Sequence, residues 1–494
     1  MSTLFRTKSV EQSVRETEEP GHRLRRDLSA LDLTVFGIGV VVGTGIFVLT
    51  GRVAKEYAGP AVALSFVFAG IVCALAALCY AEFASTVPVA GSAYTFSYAT
   101  IGEFPAWIIG WDLILELALG AAVVAVGWSG YLVSLLDSAG VHLPASLAGE
   151  HATFNIPAVL IVLAVTALLV LGVKISSRVN AIMVAIKLSV IALVVIAGLF
   201  FINADNYKPF IPPAHSTPAV DGWKAPLLQV LSGVTPVAFG WLGIFGAVAI
   251  VFFAYIGFDV VATAAEEARR PQRDLPIGII ASLLICTALY VAVSLVVVGM
   301  QHYSELSESA PLADAFKSVG HPFFATLISV GAIFGLTTVV LILLLGQSRV
   351  FFAMSRDGLL PQWLAEVHPR YGTPARSTIF MGVVVALLAG LIPLSALAEL
   401  VNIGTLFAFV VVAIGVIVLR RTRPDLPRSF RTPLVPLTPI LAVLASVFVM
   451  LNLPVETWVR FFVWMLIGSA VYFLYGRHHS RVQERSENSG RVVI

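Results

Sequence analysis

Long apolar segments recur along this chain of 494 residues, and they restrict its fold more than any other feature. Each approaches the ~20 mostly apolar residues that a membrane-spanning helix requires. The segments are residues 33–50, 60–85, 104–136, 156–173, 181–202, 243–264, 275–300, 322–354, 375–393, 397–419, 435–453 and 456–475. Charged residues make up only 12% of the chain, against about 25% in a soluble domain. The sequence therefore predicts an all-α integral membrane protein with 12 transmembrane helices.

The positions of lysine and arginine predict how the chain is oriented in the membrane. If the N-terminus is inside, 24 of the 31 Lys and Arg residues fall in segments on the cytoplasmic side, where positive charge is normally in excess. An even number of spans then places both termini in the cytoplasm. The first 28 residues lack the apolar core of a cleavable signal peptide. The net charge of +2 gives no indication of a nucleic-acid partner.

Two apolar segments carry a weak point near the middle of the membrane. In the first, "GVVVGTGIFVLTG" places Gly43, Thr44 and Gly45 at about half depth. In the sixth, "FFAYIGFD" places Gly257 shortly before Asp259. The glycines could be close helix-packing contacts. However, the two segments are five helices apart, so they would be matched helices of two inverted halves, and such a pair is the best sequence indication of a transporter binding site.

An unwound point at this depth exposes backbone groups of both kinds. Amides at the start of a half-helix suit a carboxylate, aided by the helix dipole. Free carbonyls at the end of the adjoining half-helix suit an ammonium group. A ligand that carries both groups on one carbon is an α-amino acid, so the paired breaks predict an amino acid as the substrate.

Four motifs resemble the cationic amino acid transporter branch of the amino acid–polyamine–organocation superfamily, in its twelve-span bacterial form. They are "GTGIFVLTG", "YAEFASTVPVAGSAYTFSYATIGE", "FFAYIGFDVVATAAEEARRPQRDLPIGI" and "GQSRVFFAMSRDGLLP". The resemblance implies a LeuT-like fold of two inverted five-helix repeats with discontinuous helices 1 and 6, plus two extra helices. The expected divisions are a cytoplasmic tail 1–28, a first repeat 29–202, an extracellular loop 203–242, a second repeat 243–419, helices 11 and 12 in 420–475, and a cytoplasmic tail 476–494.

The resemblance also implies which residues hold the substrate. The expected set is Val41, Gly43, Thr44, Gly45, Glu116, Phe253, Ala254, Ile256 and Asp259. Glu116 would face a cationic side chain of the substrate, or else make a helix–helix hydrogen bond. Asp259 would cap the second half of its helix, attract a positive side chain, or do both. Asp112, one turn before Glu116 on the same face, is expected in a structural or gating pair.

Lys187 lies about nine residues into the fifth segment, in "NAIMVAIKLSVIAL". A charge at that depth costs at least ~2.5 kcal/mol, so it requires a reason. The residue could be paired permanently with an acidic neighbour. The resemblance favours proton coupling instead, because a lysine at the matching place replaces a structural sodium ion in similar transporters.

The sequence lacks the motifs of several other classes. It has no GxxxxGK[ST] phosphate-binding loop, no clustered metal ligands and no nucleophile–base arrangement, so we expect no cofactor, no metal and no enzymatic activity. The leading hypothesis is a bacterial inner-membrane transporter that takes up L-amino acids with protons, surrounded by lipid, and favours Arg, Lys and ornithine. A broad or neutral permease, an exchanger and a transporter-fold nutrient sensor are the alternatives, and a small accessory membrane subunit is compatible with all of them.

Overall fold

The computed structural model describes residues 27–87, 92–149, 152–172, 177–216, 222–235 and 237–480. Most of the expected N-terminal tail 1–28, and the part of the C-terminal tail after residue 480, lie outside the described residues. Within the described part of the chain the structure is almost entirely helical.

The helices follow one another along the chain with mostly short connections. In chain order they are α1 (Ala30–Val41), α2 (Val62–Thr86), α3 (Ala93–Thr100), α4 (Glu103–Ser138), α5 (Ile156–Val170), α6 (Ser177–Gly198), α7 (Leu227–Ser232), α8 (Gly240–Val251), α9 (Pro271–Met300), α10 (Pro311–Ser318), α11 (Pro322–Arg356), α12 (Ala375–Leu391), α13 (Leu394–Thr422), α14 (Leu437–Leu451) and α15 (Val455–Val471).

Shorter pieces join these helices. One α-helical turn covers Thr50–Val53 and another Arg477–His479, with π-helical turns at Gly45–Leu49, Ala54–Ala58 and Tyr472–Gly476. The 3₁₀ segments are Gly59–Ala61, Leu199–Phe201, Ala204–Tyr207, Phe252–Tyr255, Asp259–Glu267, Tyr303–Glu305 and Gln362–Ala365. A two-residue antiparallel ladder pairs β1 (His215–Ser216) with β2 (Val237–Ala238).

Many of the helices have the length and composition of membrane spans. Among the described residues, eight helical stretches are long and apolar enough to cross a membrane. Four shorter apolar helices, α1, α5, α12 and α14, accompany them. The longest stretch, Gly45–Thr86, contains Gly59, whose φ of +59° turns the chain between the first and second predicted spans. The structure is therefore that of a mostly helical membrane protein.

Small residues bring the helices of the bundle close together. The helix α9 packs against α1 and α2, while α4 packs against α11 and α13. A Cβ on Gly278 would come within 2.8 Å of the Cβ of Leu33, and one on Gly37 within 2.7 Å of the Cβ of Ser282. These contacts hold α1 against α9 at a distance that larger residues do not permit, as is usual between helices in lipid.

One end of the bundle carries the start of the described chain, and we call it the amino-terminal face. There Leu28 forms a parallel backbone bridge with Ala268. The mixed charges of residues 266–276 are typical of a loop, but α9 already begins at Pro271. Proline is well tolerated in a first helical turn, and the carboxylate of Asp274 accepts from the backbone N–H of Arg270 at 3.1 Å, which satisfies one of the free amides there.

A buried carboxylate ties three segments together on the amino-terminal face. Glu82 near the end of α2 is 1% exposed. Its two oxygens accept from Nε and Nη2 of Arg420 at 2.8 and 2.7 Å and from the backbone N–H of Thr432 at 2.8 Å. The guanidinium of Arg428 lies 3.4 Å away. Burial lowers the pKa of Arg428, yet a guanidinium remains charged. The carboxylate is therefore fully paired.

Candidate functional site

One interruption of the helical structure follows α1, and we call it the first break. Helix α1 ends at Val41, and Val42 takes an extended conformation with φ −74° and ψ 92°. Glycine weakens a helix because its backbone loses the most entropy on folding. Among the described residues, no backbone carbonyl accepts from the amides of Gly43, Thr44 and Gly45. Three N–H donors are therefore available at the start of the next helical turn.

The second break lies beyond α8. The chain passes through the 3₁₀ turn Phe252–Tyr255, and Ile256 is extended with ψ 132°. Gly257 follows with a φ of +121°, a conformation that side chains rarely allow. The carboxylate Oδ1 of Asp259 accepts from the amide of Gly257 at 3.2 Å. This aspartate therefore holds the break itself from its far side.

The two breaks pack directly against each other. A Cβ on Gly45 would lie 2.3 Å from the Cα of Ala254. A Cβ on Gly257 would lie 2.5 Å from a methyl group of Val40. No larger residue fits at either glycine without moving backbone or a short stiff side chain. The free amides of the first break and the carbonyls of the second therefore share one small region.

Two long helices line this region. A Cβ on Gly127 of α4 would lie 2.8 Å from the methyl group of Thr44. Val339 of α11 lies beside Gly43, with its nearest methyl group 3.4 Å from a Cβ built there. The hydroxyl of Thr44 is buried and has no hydrogen-bond partner among the described residues. An unpaired buried hydroxyl is costly, and a bound polar ligand would relieve that cost.

A tyrosine bridges the ends of the two broken helices. The hydroxyl of Tyr290 on α9 lies 2.7 Å from the carbonyl oxygen of Val41 and 2.6 Å from that of Ala254. The ring is 0% exposed. A phenol has one proton, so it donates fully to only one of these carbonyls at a time. The other carbonyl retains acceptor capacity facing the break.

Lys187 on α6 contacts the last turn of α1, just before the first break. Its side chain is 0% exposed, and Nζ donates to the carbonyl of Gly39 at 2.6 Å. Its methylene groups pack against α11 at Gly335. It takes part in none of the ion pairs found among the described residues. The alternative of a permanent acidic partner therefore has no support in the described part of the chain.

A second buried group lies between the breaks and the amino-terminal face. Its members are Asp112, Glu116 and Asp259, whose carboxylates are close enough for Asp112 and Asp259 to repel the charge of Glu116. All three are at most 2% exposed. The carboxylate oxygens of Asp112 and the nearby hydroxyl of Tyr80 have no hydrogen-bond partner among the described residues. The hydroxyl of Thr405, which donates to the carbonyl of Val401, lies beside the carboxylate of Glu116. Among the described residues, Asp112 therefore lacks the partner that the predicted structural pair requires.

The structure separates the predicted site residues into two neighbouring places. Val41, Gly43, Thr44, Gly45, Phe253, Ala254 and Ile256 lie at the breaks. Glu116 lies eleven residues before Gly127 on the same helix, which is about 16 Å at 1.5 Å per residue. Since Gly127 faces Thr44, the carboxylate of Glu116 is closer to Asp259 than to the free amides.

Sequence reasoning missed two polar residues at this site. Tyr290 lies in the apolar run "CTALYVAV", where a tyrosine looks like a packing residue. Asn402 on α13 is 0% exposed, and its amide donates to the carbonyl of Ala249 at 2.8 Å while its Oδ1 is unpaired among the described groups. A buried asparagine in a spanning segment is a signal that could have identified the second residue.

The helical bundle and the backbone groups exposed at two adjoining breaks define a membrane transporter. The chain belongs to the amino acid permease family, whose model matches residues 28–472. Its fold is similar to that of MhsT in complex with L-phenylalanine, with a TM-score of 0.58 and 17% identity, over 87% of this chain and 99% of that one. That neighbour has a LeuT-like architecture, which the fold here shares.

Several curated relatives align over nearly their whole length. The methylthioribose transporter of Bacillus subtilis (strain 168) is 47% identical over 97% of this chain and 99% of its own. The branched-chain amino acid permease BcaP of the same organism is 48% identical over 98% and 99%. The vacuolar cationic amino acid transporter 4 of Arabidopsis thaliana is 32% identical over 97% and 96%. The relatives therefore include both bacterial permeases and cationic amino acid transporters.

Proposed function

We propose that this protein is a proton-coupled permease that carries L-amino acids across a bacterial inner membrane by alternating access. The observation that carries the proposal is the set of unpaired amides at Gly43, Thr44 and Gly45, packed against the second break. Three adjacent N–H groups at a helix start bind a carboxylate well.

The ammonium group of the substrate is expected on the other side of the same region. Tyr290 leaves one of the carbonyls of Val41 and Ala254 with spare acceptor capacity. Among the described residues, the carbonyl of Phe253 accepts from the amide of Ile256 at 3.2 Å, and a carbonyl has two lone pairs. The backbone would thus hold both groups common to all α-amino acids.

Proton coupling would use Lys187. Among the described residues, its acceptor is the carbonyl of Gly39, four residues before the unpaired amide of Gly43. A protonated amine donates to this carbonyl strongly, whereas a neutral amine donates weakly. A change of protonation would therefore alter the hold of α6 on α1 at the break. The absence of a carboxylate partner among described residues leaves the amine free to change its charge.

The side chain of the substrate is expected to be neutral more often than cationic. Glu116 lies about 16 Å along α4 from the level of Thr44, and the groups nearer the breaks are apolar, including Val339 and Phe253. One of the bacterial relatives is named as a branched-chain amino acid permease. A preference for cationic amino acids, with Glu116 and Asp259 as the attracting groups, remains the second candidate, and the plant relative is named for such substrates.

The membrane arrangement completes the proposal. The eight long helical stretches and four shorter apolar helices would together make twelve crossings in two inverted halves. The amino-terminal face would be cytoplasmic, because Arg269, Arg420, Arg428 and other basic residues lie on its segments. Substrate would then enter from the opposite face.

Uptake into liposomes tests this function. We expect purified protein to accumulate labelled L-leucine faster when the exterior is acidic, without a requirement for sodium. A competition panel of the twenty amino acids and methylthioribose against bound label would then rank the side chains. Uptake that needs sodium and ignores pH would refute the role of Lys187, while competition by Arg and Lys alone would favour the second candidate.

A further inference from the structure

Glu103, at the start of α4, accepts hydrogen bonds from two separate parts of the chain. The residue is 3% exposed. Its Oε1 accepts from the hydroxyl of Tyr472 at 3.0 Å, and its Oε2 accepts from the hydroxyls of Ser480 at 2.6 Å and of Tyr98 at 3.2 Å. Hydroxyl groups that donate to a carboxylate form short, strong hydrogen bonds. The end of the described chain and helix α3 are therefore joined through one buried carboxylate.

The chain that follows α15 packs into the bundle along one face, and we call residues 472–480 the carboxy-terminal segment. Tyr472, Gly476 and Ser480 are buried, whereas the residues between them are exposed or half-buried. Residues that recur every four positions lie on one side of a helical stretch. A Cβ on Gly476 would lie 3.3 Å from the carbonyl oxygen of Leu359, in the loop after α11. The segment is therefore part of the packed amino-terminal face.

Helix α3 also contacts the second break. The hydroxyl of Ser92, which directly precedes α3 and is buried, donates to the carbonyl of Asp259 at 3.3 Å. The ring of Tyr80 makes edge contacts with Phe96 of α3 and with Phe258, at centroid distances of 6.4 and 5.9 Å. Phe258 and Asp259 directly follow the glycine of the second break. Helix α3 therefore connects Glu103 to this break.

The position of α3 depends on these contacts. The helix has only 8 residues, and helices shorter than ~12 residues are marginal by themselves. Ser92 has a φ of +50°, a conformation that persists only where the surrounding structure holds it. A second anchor is the hydroxyl of Tyr94, which donates to Asp357 after α11 at 2.7 Å. Loss of the hydrogen bonds at Glu103 is therefore expected to loosen α3 and its contact with the second break.

We propose that the carboxy-terminal segment is a conformational clamp, which acts through Glu103 and α3 to hold the second break in place. While Tyr472 and Ser480 donate to Glu103, α3 keeps Ser92 on the carbonyl of Asp259 and the amino-terminal face stays closed. Release of the segment lets α3 move, which shifts the equilibrium towards an open face. Under the proposed function substrate leaves at this face, so the effect of the clamp on transport rests on that function.

Hydrogen–deuterium exchange of the purified full-length protein tests the clamp, because amide exchange measures how often a segment opens. In Ser480→Ala we expect the amides of α3 and of Asp259–Glu267 to exchange roughly tenfold faster, since Glu103 loses a charge-assisted hydrogen bond. Tyr472→Phe removes the second donor and should act in the same direction. Ser469→Ala is the matched control, because that hydroxyl donates to Met465 within its own helix, and it should leave both segments unchanged.

Faster exchange that stays within the carboxy-terminal segment would refute the clamp. An equal rise in all helices would also refute it, because the bundle would then only be less stable.

Leucine uptake by the same preparations separates the clamp from the proposed function. We expect Ser480→Ala to raise the initial rate about twofold or more, because the amino-terminal face opens more often. An unchanged rate despite faster exchange would refute the effect of the clamp on transport. If the wild type accumulates no amino acid at any pH, the proposed function fails, whereas the exchange rates still decide whether the clamp exists.

Discussion

Two groups of buried carboxylates in this bundle are paired in opposite ways. Glu82 at the amino-terminal face accepts from the side chain of Arg420 and the backbone of Thr432, and it lies 3.4 Å from the guanidinium of Arg428. Deeper in the bundle, Asp112 has no hydrogen-bond partner among the described residues, and Glu116 takes part in none of the ion pairs found there and has only the hydroxyl of Thr405 beside it. Burial without a partner is expensive, so a fold would not retain the second arrangement for stability alone.

Under the proposed function, this difference would separate residues that stabilise the bundle from residues that bind a ligand or a proton. The Glu82 group joins α2 to the end of α13 and to the segment that follows it. The unpaired hydroxyl of Thr44, the free amides beside it and the unpaired acids lie near the two breaks. Substitutions in the paired group should mainly change stability, and substitutions near the breaks should mainly change transport or binding.

The largest effect on stability is expected at Glu82. Replacing it in Glu82→Ala leaves two arginines near a buried site without their counter-charge, which should cost about 3 kcal/mol. The melting temperature of the purified protein should fall by several degrees, while substrate ranking by the remaining folded protein stays the same. Glu366→Ala is the control, since it removes an exposed ion pair with Arg376 that is worth at most about 1 kcal/mol. Equal effects of the two changes would refute the structural role of Glu82.

The next largest effect is expected at the first break, on transport. In Gly45→Ala the new methyl group would lie 2.3 Å from the Cα of Ala254, where backbone must move. Overpacking of this kind costs about 1–3 kcal/mol and would separate the two breaks, so leucine uptake should be lost. Gly43→Ala is the matched control two residues away, because its methyl group meets Val339 at an ordinary 3.4 Å. If both variants fold normally and both lose uptake, transport requires glycine at both positions. The loss could then not be assigned to the contact between the two breaks.

Proton coupling should depend on Lys187. In Lys187→Ala the carbonyl of Gly39 loses its charged donor, so uptake should no longer respond to an acidic exterior, while leucine binding persists. Lys208→Ala removes an exposed lysine that pairs with Asp205 and should leave the pH response unchanged. Initial rates in liposomes across a pH series provide the measurement. A pH response retained in the first variant would assign coupling to another group.

How far the sequence predicts this architecture depends on the distance over which residues interact. The apolar runs and the motif around Gly43 are local, and the mostly helical fold of the chain agrees with the apolar runs. The family was also recognisable from local motifs. The helix start at Pro271 was missed because the charges around it look like a loop, although proline and the acid in the first turn are themselves helix-start signals.

Long-range pairs were beyond such reasoning. Glu82 and Arg420 are 338 positions apart, and Tyr290 is 249 positions from Val41. No periodicity indicates which charged residue meets which, because helix packing decides it. The position of Glu116 within its apolar segment predicts its depth in the membrane. It does not predict how far along the membrane normal Glu116 lies from the first break.

A moderate effect on leucine affinity is expected when the hydroxyl of Tyr290 is removed. Tyr290→Phe removes the donor shared by the carbonyls of Val41 and Ala254. The loss of one net hydrogen bond is about 1 kcal/mol, so leucine affinity should fall roughly fivefold. Tyr255→Phe is the control, because its hydroxyl donates at 2.7 Å to Phe66, outside the breaks. An equal fall in affinity for both variants would show that the bridge only contributes to packing.

The smallest effect is expected at Glu116, and it tests the contrast most directly. Because burial of a carboxylate with no basic partner is costly and only the hydroxyl of Thr405 is known beside it, Glu116→Gln should not lower the stability of the protein, whereas Glu82→Gln breaks a paired group. Leucine affinity should change by less than about twofold, since the carboxylate is not at the level of the free amides. If arginine affinity instead falls tenfold or more while leucine affinity does not, Glu116 contacts the substrate side chain. The cationic preference would then replace the neutral one, and the unpaired acids would belong to the same site as the breaks.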